Sequence, residues 1–444
     1  MMVRENNNIP TVSVFRFYAN SRQILKNPLP FHINNFNKLG DTFQIKLGFG
    51  KPLIFSRDPQ FAEYVLQRNH KNYKKSPIQT KDMAKYLGKG LLTSEGEHWR
   101  KQRKLIQPAF HKKQLEKLLE TIKSAILFEI QKIKTEQPID IFPIFNDLAF
   151  QTVVKSLFSS AINKSEINRL QHITEAAQKM LVRELRQPYL GWWFHWGGAI
   201  RKHQNLVTEA RGILKKIVSD RRQRENREGD LLDMLLDARY EDGKAMEEEQ
   251  LLDEILILFT AGHETTSNAL TFTAELLARN PEVQEKIASE VMEAENTATD
   301  LMQVLKSCPY TQNVIEESMR LYPPAYFIDR KSVEDDYFEG KFVPKGSSVL
   351  FAIYEVHQHR KHWEKPETFI PQRFSENEKR PYFPFGAGPR KCIGNNFAMY
   401  EMILTIAEVI KQFKIDYKEE SIKINPLITL KPKDAFLQFK KREL

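Results

Sequence analysis

Cys392 offers the sharpest chemistry in this chain. It lies in the stretch Phe383-Pro384-Phe385-Gly386-Ala387-Gly388-Pro389-Arg390-Lys391-Cys392-Ile393-Gly394. Two glycines and a proline ahead of the cysteine make a tight, stiff loop. A helix-like run, Asn395 to Phe413, follows Gly394, so the sulfur stands just ahead of a helix N-terminus. Backbone N–H groups and the helix dipole favour a thiolate there. A thiolate held rigidly among donors suits an axial metal ligand; a structural cysteine in a Gly-rich turn is the simpler alternative. The one other cysteine is Cys308. A disulfide scaffold and any site built from four thiolates are excluded, and a reducing, cytoplasmic setting is expected.

Three further groupings invite a chemical reading. Ala261-Gly262-His263-Glu264-Thr265-Thr266 falls inside a long helical pattern whose flanking residues Leu256, Phe259, Leu270 and Phe272 read as buried. A carboxylate and hydroxyls in a buried helix need a reason, although a threonine bonding back to the carbonyl one turn earlier is a bland one. Glu317 and Arg320, three apart on one helix face, can pair; Pro323-Pro324 closes that helix, and Phe369-Ile370-Pro371-Gln372-Arg373-Phe374 comes later. Trp99 and Arg103, four apart, share a face of a basic helix.

Read as Phe385, Gly388, Arg390, Cys392 and Gly394, the cysteine loop resembles the heme-binding loop of the cytochrome P450 family. The resemblance implies heme b as cofactor, with Cys392 as the thiolate ligand of its iron, Phe385 packed nearby and Arg390 turned toward a propionate. The other groupings are similar to that family's signatures and occur in its order. They imply Thr265 as the oxygen-activating hydroxyl, Glu264 as the neighbouring acid and Gly262 as the residue leaving room for oxygen, on a helix that loosens over the heme. His263 is expected to be structural. Glu317, Arg320 and Arg373 are implied as a buried structural network, with Tyr354, His357 and Trp363 fitting the same region. Trp99, Arg103 and, by position after the Pro-Pro turn, Arg330 are implied as propionate partners.

The elements that must position these residues follow from pattern. The chain has 444 residues, 41% of them hydrophobic, 28% charged, with net charge +10, an ordinary globular composition able to bury a large core. No apolar run approaches the ~20 residues of a membrane helix, and Met1 to Asn8 lack the apolar core of a signal peptide. Neither an anchor nor a leader is expected. Two strands around a Gly/Pro turn are expected over 42–55, long helical stretches over 98–135, 163–183 and 201–237, and a long helix from Glu247 to Arg279. Strands return over 338–352 and 427–440. No repeat or linker divides the chain. The expectation is a single domain over 1–444, mainly α with small β-sheets near both ends (α+β), and, by the resemblance, the P450 fold with heme between the long helix and the cysteine-loop helix.

The implied activity is a heme-thiolate monooxygenase that inserts one oxygen atom of O2 into a substrate C–H bond. Only 52 residues follow Cys392, too few for a reductase domain, so separate redox partners are expected. Residues 98–117 hold seven Lys/Arg against one Glu, and Lys379, Arg380, Arg390 and Lys391 crowd the loop. That balance suits an acidic ferredoxin or flavodoxin; no nucleic-acid module is present, and a monomer is expected. By family position the substrate pocket draws on 81–88, 256–261, 325–328 and 426–429, which are mainly apolar, so a fatty acid or terpenoid is the first expectation. Gly191-Trp192-Trp193-Phe194-His195-Trp196 places three of the five tryptophans in the expected roof of the access channel. Indoles pack on sugar rings, so oxidative O-demethylation of a methoxylated, sugar-like compound is the second. A peroxide-driven peroxygenase and a non-catalytic heme sensor are the rival readings.

Overall fold

The longest element of the computed structural model is the helix Glu248–Arg279, which runs unbroken through the core. Glu248 and Glu249 occupy its first turn, where the dipole favours anions, and Pro281 opens the next helix after Asn280. It is buried over most of its length, and its middle carries polar residues, His263, Glu264, Thr266, Ser267 and Asn268, into the interior. The structure describes residues 9–46, 50–159, 162–187, 190–224, 227–375, 378–417 and 422–443. Residues 1–8, whose composition argued against a leader, and Leu47 to Phe49, in the expected strand and turn of 42–55, lie outside the described residues. No described helix is long and apolar enough to cross a membrane.

Helix Phe142–Phe158 lies along the long helix, with Phe150 against Phe259 and His263 at 5.8 and 5.4 Å between ring centroids. Helix Leu119–Ile130 packs on its other side and also meets the cysteine helix Asn395–Gln412. The cysteine helix in turn touches the long helix. One large apolar cluster fills the space among these four helices.

The expected helical stretch over 98–135 breaks into Gly96–Ile106, a 3-10 turn Gln107–Phe110, a short helix Lys112–Glu116 and Leu119–Ile130. Pro108 explains the first break, because its nitrogen has no hydrogen to donate. The stretch over 163–183 is the helix Lys164–Arg186, started by a reciprocal Asn163–Glu166 capping box.

The β-structure corrects one expectation. The early strands do not form a small sheet of their own, although the C-terminal ones do. Leu53–Ser56 pairs parallel with Ser348–Phe351, and a six-stranded sheet runs in the order Thr11–Val12, Thr42–Ile45, Leu53–Ser56, Ser348–Phe351, Ile328–Ser332, Tyr73–Lys74. Ile-Asp-Arg-Lys-Ser, the strand Ile328–Ser332, shows no apolar alternation from which a strand could be read. Near the C-terminus, Lys423–Pro426 and Leu430–Lys433 form a hairpin, and Phe436–Lys441 sits between Phe413–Asp416 and Pro138–Asp140.

The close approach of the long helix to Phe142–Phe158 depends on Gly262. A Cβ at that position would stand 2.9 Å from Val153 Cγ2. Gly→Ala in a helix interior ordinarily stabilises by about 1 kcal/mol. At Gly262 we expect Gly262→Ala to destabilise instead, and Val153→Ala in the same chain to restore part of the loss. Urea unfolding of the two single variants and the double variant measures this, and additive effects would refute the contact.

Candidate functional site

Cys392 is exposed, yet enough protein surrounds it for burial to push its thiol pKa up. Its N–H donates to Phe385 O at 2.9 Å. The Gly394 N–H, Arg103 and Lys391 act in the opposite sense to burial and favour the thiolate. Burial is the largest of these effects, and a bound cation would act with the three donors in favour of the thiolate. Gly388 (φ +68°) passes so close to Leu66 that a Cβ would meet its carbonyl oxygen at 1.9 Å, and Gly386 (φ +70°) also takes a left-handed conformation. The glycines thus fix the loop's path. Over Gly394 the nearest atom a Cβ would meet is Phe110 Cε1 at 4.0 Å, leaving the backbone open to a flat ligand. Phe385 is half-buried beside it.

The long helix exposes Ala261 and half-exposes Gly262 and Thr265 in the middle of an otherwise buried run. The Thr265 hydroxyl donates to Ala261 O at 2.8 Å. Glu264 is buried and accepts from the Thr429 hydroxyl at 2.9 Å, and Asn268 donates to that hydroxyl oxygen at 3.0 Å. His263 is buried and bonds Phe259 O, a structural place as expected. Two expectations change here. The helix does not loosen but stays α-helical, with Thr265 bonded back one turn. Gly262 leaves room for Val153 rather than for a ligand.

Positive charge collects at one edge. Arg330 is only 8% exposed, and its guanidinium donates to its neighbour's carbonyl, Asp329 O, at 2.7 Å. Arg390 stacks on Trp99, 3.4 Å from the ring centroid, and donates to Glu95 at 2.6 Å. Lys75 is buried and donates to Leu91 O and Leu92 O. Burial, with the charge of Arg390 next in order, brings its pKa down to about 7. Burial also lowers Arg330, and it brings Arg390 down to about 10. Among the described residues, Glu95 is the one carboxylate bonded to any of these three side chains. Lys75 and Arg330 are buried and Arg390 half-buried, and cations so placed suit an anionic partner. Lys75 and Glu95 had no motif to reveal them. Arg103 differs from expectation: it donates to Lys391 O at 2.9 Å and to Gln107, beside the cysteine rather than with Trp99 and Arg390.

Behind the loop, Arg320 is fully buried and donates to both oxygens of buried Glu317, at 2.7 and 2.9 Å. It also donates to the carbonyls of His357, Pro366 and Thr368. Arg373 reaches Glu317 at 3.3 Å. Trp363 lies under the Arg320 guanidinium at 5.1 Å. His357 Nε2 accepts the Phe383 N–H, and burial pushes the His357 pKa down to about 3. The expected three-residue network is assembled, with His357 linking it to the start of the cysteine loop. Tyr354 lies nearby, its N–H bonded to Tyr326 O.

Of the expected pocket segments, Met83, Tyr86, Leu87, Ile257 and Ile428 pack in one apolar cluster with Met180, Leu181 and Phe194. Tyr326 belongs to a different cluster, its hydroxyl donated to Leu427 O. Trp192, Trp193 and Trp196 are exposed and only Phe194 turns inward, so the three indoles do not roof a channel.

An accessible thiol in a rigid loop, a helix opened in mid-run and a group of cations fit a flat, dianionic, thiolate-ligated group. Heme b, with two propionates, has that shape and charge.

The sequence profile of the cytochrome P450 family matches residues 10–439. Over 390 residues the chain is 28% identical to a cyclooctat-9-en-7-ol 5-monooxygenase of Streptomyces melanosporofaciens, covering 85% of this chain and 83% of the relative. A pentalenene oxygenase of Streptomyces avermitilis is 26% identical over 404 residues, covering 90% and 89%. In fold the chain is similar to the cytochrome P450DA heme domain, with TM-score 0.85, 22% identity and 98% of both chains covered. It is likewise similar to retinoic acid-bound cyanobacterial CYP120A1, with TM-score 0.83, 24% identity and 95% and 96% covered.

Two outcomes follow from the charges. Glu317→Ala leaves Arg320 buried without its carboxylate and should lower stability by about 3–5 kcal/mol in urea unfolding; an unchanged midpoint would discount the network. Lys75, depressed to about 7 in the fold, binds a proton more readily in the unfolded chain. Stability of the heme-free protein should therefore rise between about pH 7 and pH 10, by at most ~1.4 kcal/mol per pH unit. Lys75→Met should remove that slope, and heme loading should flatten it in the parent protein.

Proposed function

As a member of the cytochrome P450 family, the chain is a heme b-dependent, oxygen-incorporating monooxygenase, and we propose that it hydroxylates an apolar, lipid-like substrate with electrons from a separate acidic redox protein. The observation that carries this reading is that Cys392 is exposed in its rigid loop while the long helix is opened at Ala261, Gly262 and Thr265 in an otherwise buried run. Residues 1–444 act as one domain, a monomer in the reducing cytoplasm; the pairing of Leu53–Ser56 with Ser348–Phe351 supports the single domain.

Bound heme supplies iron that activates O2, with a thiolate ligand favouring O–O cleavage. Cys392, kept in place by the rigid loop and the Gly394 N–H, would be that ligand. Lys75, Arg330 and Arg390, with Trp99, would hold the propionates, and Arg103 steadies the cysteine loop through Lys391 O. Phe385 and the bare backbone of Gly394 would flank the ring. On the long helix, Thr265 Oγ1 presents its lone pairs at the opening while its hydrogen rests on Ala261 O. Rotation of that hydroxyl brings its proton into the opening. Glu264, held by the Thr429 hydroxyl that Asn268 in turn contacts, would take up a proton from solvent and pass it to Thr265. The relay is the feature that separates this reading from a peroxygenase or a sensor, neither of which needs it.

The apolar cluster around Tyr86, Leu87, Met180 and Ile257 supports a fatty acid or terpenoid substrate. So do relatives named for cyclooctat-9-en-7-ol and pentalenene. Oxidative O-demethylation loses its particular support, because the indoles that argued for a sugar ring face outward. For the electron donor, Lys101, Lys112, Lys113, Lys117 and Lys391 are exposed and form no ion pair among the described residues. They continue the surface beneath the cysteine loop, where Arg103 meets Lys391. A basic face steers an acidic ferredoxin or flavodoxin into place.

The reduced, carbon monoxide-treated protein should show the strongly red-shifted Soret band of thiolate ligation, and Cys392→His should abolish it. Thr265→Ala and Thr429→Val should keep that band but release a larger share of electrons as peroxide, with product per electron falling about tenfold for Thr265→Ala. Thr429→Ser should restore coupling. A fully coupled Thr265→Ala variant would remove the relay from the mechanism.

A further inference from the structure

The helix Gly191–Trp196 is short, and its sides differ sharply. Phe194 is 2% exposed and packs among Met180, Leu181, Tyr86 and Ile257, with the Arg183 guanidinium 5.2 Å from its ring. Trp192, Trp193 and Trp196 are 63%, 60% and 84% exposed. Trp192 and Trp193 meet edge to face at 5.8 Å and leave their outer faces to solvent. An exposed apolar patch of this kind marks a surface that meets something.

Charge identifies the partner. Between Glu184 and Glu209 the sequence holds no Asp or Glu, but it holds Arg186, Arg201, Lys202, His195 and His203. Arg186 is committed to Pro426 O. Arg201 and Lys202, in the first turn of helix Ala199–Gln223, are exposed and form no ion pair among the described residues. Indoles beside free cations, with no anion among them, match a bilayer surface. There indoles sit at the headgroup level and cations meet anionic lipid. The patch is too small for the alternative of a second copy. Its three indoles, ~250 Å² each and 63%, 60% and 84% exposed, offer about 500 Å², against the ~800 Å² per partner of a stable interface. They project from a helix rather than line a recess, so they do not enclose a small ligand.

We propose that Trp192, Trp193 and Trp196, with Arg201 and Lys202, form a docking surface for an anionic phospholipid bilayer, bound peripherally and reversibly. The surface lies on the outer side of Phe194, whose inner side packs on the apolar cluster. The docking rests on the patch alone and not on the assigned reaction.

The test is sedimentation of the full-length, heme-loaded protein with vesicles of phosphatidylcholine, with and without phosphatidylglycerol. Binding is expected with phosphatidylglycerol and about tenfold weaker without it. The variant Trp192→Ser/Trp193→Ser/Trp196→Ser should lose binding about tenfold or more, and Arg201→Ser/Lys202→Ser should lose most of the dependence on anionic lipid. Both variants should keep the parent carbon monoxide spectrum, which shows that the fold and heme site persist. The single substitutions Trp192→Ser and Trp196→Ser, measured separately, cover the case in which the triple variant does not fold. Equal sedimentation of parent and folded tryptophan variants would overturn the proposal. So would a parent that ignores vesicles, including one that instead forms a dimer through the same tryptophans in size-exclusion light scattering.

Discussion

A guanidinium removed completely from water is the constraint on which the cysteine loop depends. Arg320 cannot be deprotonated, so its charge must be met inside the protein. Glu317 meets it from one turn earlier on the same helix, and the carbonyls of His357, Pro366 and Thr368 complete its donors. Those carbonyls belong to a segment with little regular structure, which has no ladder of its own to define its path. Arg373 and the Ile370 N–H join on the same carboxylate, and His357 passes the order on to Phe383. The loop carrying Cys392 therefore leaves from a fixed point.

Cys392 is exposed in its loop, and Ala261 and Thr265 open an otherwise buried helix. Lys75, Arg330 and Arg390 add positive charge that suits a flat dianion, and a ligand that binds only the folded chain stabilises it. Glu95 shows the local solution: it caps the helix Gly96–Ile106, binds the Lys75 N–H and pairs with Arg390.

The polar groups of the long helix divide by what they touch. Thr265 remains at the opening, while Glu264 turns to the C-terminal hairpin and is held by Thr429 and Asn268. A buried carboxyl of the long helix is thereby tied to a turn more than 160 residues away in sequence. The same separation of inner and outer faces operates in the helix Gly191–Trp196, where one aromatic secures the helix to the apolar cluster and three face outward.

Much of this was legible in the sequence. The loop before Cys392, the long helix with Glu264 and Thr265, the Glu317–Arg320 spacing and the cationic residues Arg330 and Arg390 are local patterns, and local patterns follow from backbone conformation and helix period. The long helix was placed to within a residue of its start because its first-turn glutamates and the Asn280-Pro281 stop act over short range. Tertiary structure alone decided the rest. It brought Leu53–Ser56 beside Ser348–Phe351, since pairing partners across 300 residues leave no mark in either segment. It drew Lys75 and Glu95 into the cationic edge, turned Gly262 toward Val153, moved Arg103 to the cysteine loop and sent the tryptophans outward. Each of these depends on which neighbour a side chain meets, and that is fixed only when distant elements pack.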